Sequence, residues 1–198
     1  MHTAILLIRH AAHEHLGLIL SGRMPGVPLS PAGADQAARL AAHLADVSVS
    51  AVHSSPVQRA RETAAAIALP HGLRAEIAEG LDEIDFGSWT GESFAHLQHQ
   101  PEWIAWNSAR GSASVPGGET MARAQARIVA YIEGLARHLR GGTVVMVSHC
   151  DMIRAAVAHY LGLALDRMLS FDIDPASISR LAVGDWGGRV VSVNESCE

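Results

Sequence analysis

The chain of 198 residues has no lysine: all 15 basic residues are arginine, set against 20 acids and never gathered into a block. Binding to nucleic acid through a cationic face is therefore not expected, because that affinity grows with clustered positive charge. Cysteine is almost as scarce. Cys150 and Cys197 are too few and too far apart for a disulfide framework or a zinc pair, which points to a reducing compartment. No apolar run reaches the roughly 18 residues of a membrane span, and Met1 to His10 lacks the features of a secretory signal. A cytoplasmic protein without a membrane partner is the expectation. Aromatic residues make up only 5%, so the crowding of Trp89, Trp103 and Trp106 into residues 87–118 sets that segment apart.

What is present is apolar residues in abundance, 48% of the chain, enough for one sizeable core. Residues 3–8 and 143–147 are continuous apolar runs that end abruptly at Arg9-His10 and Ser148-His149, the pattern of strands buried on both faces. Shorter strands are predicted at Ser50–His53, Leu73–Ile77, Ser177–Val183 and Arg189–Val193, the last two joined as a hairpin. Ser30-Pro31 and Ser55-Pro56 read as helix starts, with helices running to about Leu44 and Leu69. Pro116 to Glu119 is read as opening a helix that ends near Leu139, and Asp151 as opening another that ends near Leu161. Strands alternating with helices predict an α/β three-layer sandwich: a mostly parallel mixed sheet with helices on both faces. Residues 1–198 are read as one domain, with 87–118 as a small inserted helical lid.

In such sheets ligands bind beyond the carboxyl ends of the strands, where His10 and His149 both stand. Pairing their strands would bring the two imidazoles to one mouth. Arg59 lies in the first turns of a helix that follows a strand, a place that already favours an anion, and is expected to turn into the cleft. Arg61, farther round that helix, should face solvent and pair with a carboxylate. Arg23, in a Gly-rich loop, is a further candidate. Arginines and histidines converging on one point need an anion to offset them, and a phosphoryl dianion best matches the forked guanidinium donors. A neutral imidazole can attack phosphorus to give a phosphohistidine that water later opens. The leaving alkoxide needs a proton, which either Glu83 or Asp85 could supply if burial raises its pKa. Cys150 stands too close to the next arginine, Arg154, for the longer phosphate loop of cysteine phosphatases and is read as a buried thiol.

Six fragments carry a resemblance. Leu7-Ile8-Arg9-His10, Pro28 to Gly33 with Gln36-Ala37, Ser54 to Ala60 with Thr63-Ala64, Leu81-Asp82-Glu83 with Phe86 to Gly91, Pro116 to Glu119, and Val147-Ser148-His149 resemble, in order, the motifs of the histidine phosphatase superfamily, also called the phosphoglycerate mutase-like family. The resemblance implies His10 as phosphorylated nucleophile, Glu83 as proton donor, and Arg9, Arg59 and His149 as the phosphate pocket. Arg23 would be a further phosphate or substrate contact. It also implies a small-molecule phosphate ester as substrate and no metal or other cofactor. The family usually has glycine where this chain has Ala11, which would cost about 1 kcal/mol if the turn needs a positive φ. Ile84-Asp85-Phe86 replaces the basic residues that hold a carboxylate in the mutases, so a phosphatase is expected over a mutase. Two other readings remain: a metal-dependent hydrolase using His10, His13 and His15, and a phospho-ligand binding module without catalysis.

Overall fold

A computed structural model describes residues 1–197. Strands β1 (His2–Arg9), β2 (Ala51–Ser54), β3 (Glu76–Ile77), β4 (Thr143–Ser148), β5 (Ile178–Gly184) and β6 (Gly187–Glu195) form one sheet in the order β3-β2-β4-β1-β5-β6. The first four in that order run parallel, and β5 and β6 add an antiparallel hairpin beside β1. The helices are α1 (Pro31–Leu44), α2 (Gln58–Ala68), α3 (Phe94–Leu97), α4 (Pro101–Ser108), α5 (Met121–His138) and α6 (Cys150–Leu161).

Because successive side chains of a strand point to opposite faces, the apolar run of β1 serves two cores at once. Ile5 and Leu7 pack with α5 and α6, while Leu6 and Ile8 pack with α1 and α2. All four are at most 2% exposed, each worth about 1.5–3 kcal/mol in burial. Residues 87–118 carry a 3₁₀ turn, α3 and α4, and their Trp89, Leu97, Trp106 and Val115 join the core on the α5 and α6 side.

Several element boundaries differ from the sequence reading, each for a physical reason. Ser30 does cap α1, accepting the Gly33 N–H at 3.1 Å with Pro31 at the first turn. Ser55 does not cap α2, which starts at Gln58 after an uncapped Val57, because the Ser55 hydroxyl is engaged by His149 and Asp82. Residues 116–119 precede α5 instead of opening it; its cap is Thr120. The strand expected at 73–77 shrinks to two residues, since β2, its partner, is only four residues long. Ala11 does not take a positive φ, so its methyl carries none of the expected strain.

Candidate active site

Parallel pairing of β1 with β4 sets Arg9 opposite Ser148, so the next residue of each strand leaves the sheet at the same edge. The rings of His10 and His149 consequently stand with centroids 5.1 Å apart, both buried. The motif around Ser30 explains how the backbone turns there. The Ser30 N–H donates to the Ala12 carbonyl at 3.0 Å, and the Gln36 side chain accepts the Ala12 N–H at 2.9 Å. A Cβ on Gly33 would fall 1.9 Å from that carbonyl, so only glycine lets α1 come this close. Thr63 accepts the Ala11 N–H at 3.1 Å and donates to the Arg59 carbonyl at 2.8 Å, tying the turn to α2.

The hydrogen bonds assign the tautomers. His10 Nδ1 donates to the Ala11 carbonyl at 2.8 Å, which leaves Nε2 bare, and Arg59 Nε donates to that Nε2 at 3.1 Å. Burial first, then the charges of Arg59 and Arg9, hold the His10 pKa well below the usual histidine value, so its ring is neutral. His149 Nε2 meets the Ser55 hydroxyl at 2.8 Å, and that hydroxyl donates to Asp82 at 3.2 Å. Nδ1 of His149 therefore faces Arg59 Nη2 at 3.3 Å and the Glu83 carboxyl at 3.6 Å. Its pKa is likewise lowered, by burial and then by Arg59. Burial pushes the Glu83 pKa up to about 7, with Asp151 adding to the rise.

Arg9, His10, Arg59 and Glu83 line one cavity of about 470 Å³, and His149 touches its floor through His10 and Arg59. Arg9 Nε and Arg59 Nη1 are buried donors with no acceptor, so this end of the cavity is short of negative charge. Arg23 lies elsewhere. It pairs with Asp82 at 3.2 Å and Glu119 at 3.1 Å, and it lines a separate cavity that also contains Asp85. Glu83 and Asp85, equivalent as candidate acids in the sequence, thus part company: only Glu83 reaches the histidines. Arg61 is exposed, as expected, but the carboxylate partner that the sequence reading gave it is missing among the described residues.

The cavity also contains residues that motif spacing did not single out as site residues. Leu16, Leu20, Phe86, Phe94 and Trp103 make an apolar wall, and Asn107, Arg110 and Asp151 a polar end. Arg110 is held at 2.6 Å by Asp151 and lies 4.8 Å over the Trp106 ring. Such residues come together only in space, from the helices over the sheet and from α6. His13 lines the cavity with its ring 5.3 Å from that of His10, and burial lowers its pKa to about 4. His15 turns instead to Ser21, at 3.1 Å. Among the described residues no three His, Cys, Asp or Glu side chains converge as metal ligands, so the His10, His13 and His15 run does not form a metal site. Burial raises the Cys150 thiol to about 11, and it donates to the Ile173 carbonyl, which removes it as a thiolate nucleophile.

The chain is similar to several known proteins over most of its length. Phosphoserine phosphatase 1 of Hydrogenobacter thermophilus is 29% identical over 98% of this chain and 92% of its own length. The adenosylcobalamin/alpha-ribazole phosphatase of Escherichia coli is 26% identical over 89% of this chain and 88% of its own. Among solved structures, a mycobacterial glucosyl-3-phosphoglycerate phosphatase superposes with a TM-score of 0.88 at 24% identity, covering 99% of this chain and 100% of that one. At that identity it shows the fold alone. The profile described as "Histidine phosphatase superfamily (branch 1)" matches residues 5–196, a span that takes in every residue of the cleft, and the chain belongs to that superfamily.

Proposed function

We propose that this phosphoric monoester hydrolase works through a phosphohistidine on Nε2 of His10, with Glu83 as proton donor. The observation that carries the reading is the unprotonated, buried Nε2 of a neutral imidazole, which accepts from a guanidinium that still has a free donor. Attack by Nε2 forms the N–P bond as the ester P–O bond breaks, and Glu83, protonated near neutrality, gives its proton to the departing alkoxide. Arg9, Arg59 and His149 stabilise the charge on the equatorial oxygens. Glu83, now a carboxylate, accepts a proton from the water that opens the phosphohistidine and is thereby reset. Arg23, held by carboxylates outside the cleft, is left to the rim or to support of the loop.

The cavity is much larger than a phosphoryl group and is lined by aromatic side chains as well as by Asn107 and Arg110, which supports a small-molecule ester with both apolar and polar parts. Segment 87–118 supplies Phe94 and Trp103 of the apolar wall together with Asn107 and Arg110, and acts as a lid insertion on a single domain. Relatives named for phosphoserine and alpha-ribazole esters make those two compounds, with 3-phosphoglycerate as the probe for mutase activity, the first panel to assay. The decisive experiment mixes enzyme with a phosphoester and quenches in mild alkali. An acid-labile phosphate on His10 is expected, absent in His10→Ala; full turnover by His10→Ala overturns the reading.

A further inference from the structure

Pro116-Gly117-Gly118-Glu119 neither opens α5 nor lines the cleft, and its position shows another use. A Cβ on Gly118 would fall 2.2 Å from the Asp85 carbonyl, and one on Gly87 2.2 Å from the Pro116 carbonyl. The two backbones are thus in direct contact, joined by Glu119 N–H to Asp85 at 2.8 Å and Ser88 N–H to Pro116 at 3.1 Å. This apposition puts the Glu119 carboxylate between two arginines. One oxygen accepts from Arg23 Nη2 at 3.1 Å and Arg127 Nη2 at 2.9 Å; the other accepts from Arg127 Nε at 3.2 Å.

Both arginines then reach the loop that carries the acid. Arg127 Nη1 donates to the carbonyls of Glu79, Gly80 and Asp82 at 2.8, 3.2 and 3.0 Å. The Glu83 carbonyl accepts from Arg23 Nε at 2.7 Å and Arg127 Nη2 at 3.3 Å. The one carbonyl left between them, Leu81, takes the Ser148 hydroxyl at 2.7 Å, from the residue just before His149. Every carbonyl from 79 to 83 is therefore held by a side chain. No regular structure longer than a 3₁₀ turn holds this stretch, so its geometry depends on those donors.

We propose that Arg127, oriented by Glu119 and assisted by Arg23, is a positioning clamp that fixes the backbone under Glu83 and so aims its carboxyl at the leaving-group oxygen. The clamp rests on Glu83 being the proton donor. A guanidinium suits the task because its rigid fork can reach several carbonyls at once, which a lysine ammonium cannot. Slippage of the acid by about 1 Å is enough to cost on the order of 10²-fold in a step that needs it.

The test compares Arg127→Met, Arg127→Lys and Glu119→Gln with wild type on p-nitrophenyl phosphate, whose leaving group departs unprotonated, and on an alkyl phosphate that wild type hydrolyses. Arg127→Met should lose about tenfold or more in kcat/KM, which reports only the steps up to the phosphohistidine, on the alkyl ester and less than about threefold on the aryl ester. Arg127→Lys should restore little of this, and Glu119→Gln, which keeps the shape and is the safer variant to fold, should show the same bias more weakly. The alkaline limb of alkyl ester hydrolysis should move to lower pH as water reaches Glu83. Equal losses on both esters with an unmoved limb would make the network structural only and overturn the clamp, as would unchanged kinetics. Glu83→Gln is run beside them: if it discriminates between the esters and the other variants do not, the clamp alone is wrong. If Glu83→Gln itself shows no bias, the donor assignment fails and the clamp with it.

Discussion

On the cleft side of Glu83, Arg9 Nε and Arg59 Nη1 are buried with no acceptor, whereas on its outer side the Arg127 guanidinium reaches carbonyls and the Glu119 carboxylate. The two regions share a residue type and lie on either side of the same short loop. Their difference lies in what is left over: Arg59 donates to His10, Gly22 and His149 and Arg9 to Ile173, but each keeps one buried donor with no acceptor among the described residues, a donor that suits an anion. Unmatched donors are thus a better guide to the phosphate site than arginine content, which is why Arg23, matched by Asp82 and Glu119, stands apart.

That contrast can be broken experimentally, most forcefully at Arg59. Arg59→Met should lower kcat about 10²–10³-fold, and in phosphate-free buffer it should cost less stability than Arg127→Met, because it gives up the bonds to His10, Gly22 and His149 but also removes a buried donor without an acceptor. A cost as large as that of Arg127→Met would break the comparison. Glu83→Gln should follow in size, lowering kcat/KM about 10²-fold on alkyl phosphates and little on nitrophenyl phosphate below pH 7, because kcat/KM reports only the steps up to the phosphohistidine. Wild-type hydrolysis of alkyl esters should fall as pH rises through about 7, where Glu83 ionises, and the Gln variant should lack that limb. Arg127→Met should destabilise by about 1–3 kcal/mol in chemical denaturation, more than Arg59→Met, since it leaves several carbonyls unpaired.

The smallest effect concerns stability against pH. His10, His149 and His13 have lowered folded pKa values, so the unfolded chain binds more protons and stability falls as pH drops below 6.5. Glu83 has a raised folded pKa, so its own contribution runs the other way, falling as pH rises from 4.5 to about 7. Removing it in Glu83→Gln should therefore steepen the loss of stability on acidification between pH 6.5 and 5, as thermal melts would record. An identical slope in both proteins would mean that Glu83 titrates in the folded state as it does in the unfolded chain.

The sequence by itself marked the two apolar runs that end at Arg9-His10 and Ser148-His149 as buried strands with a histidine at the carboxyl end of each. That they lie side by side, and so bring His10 to His149, came from the sheet order. The alternation that splits Ile5 and Leu7 from Leu6 and Ile8 is local, as is the Ser30-Pro31 start of α1. Only the tertiary structure decided between Glu83 and Asp85, turned Ser55 from a helix cap into a partner of His149, and drew Arg23 out to an acidic rim. It alone gathered Asn107, Arg110 and Asp151 at one end of the cavity. The reason is range: apolar periodicity and caps act within a few residues, whereas the direction of a charged side chain depends on which distant backbone or carboxylate arrives beside it.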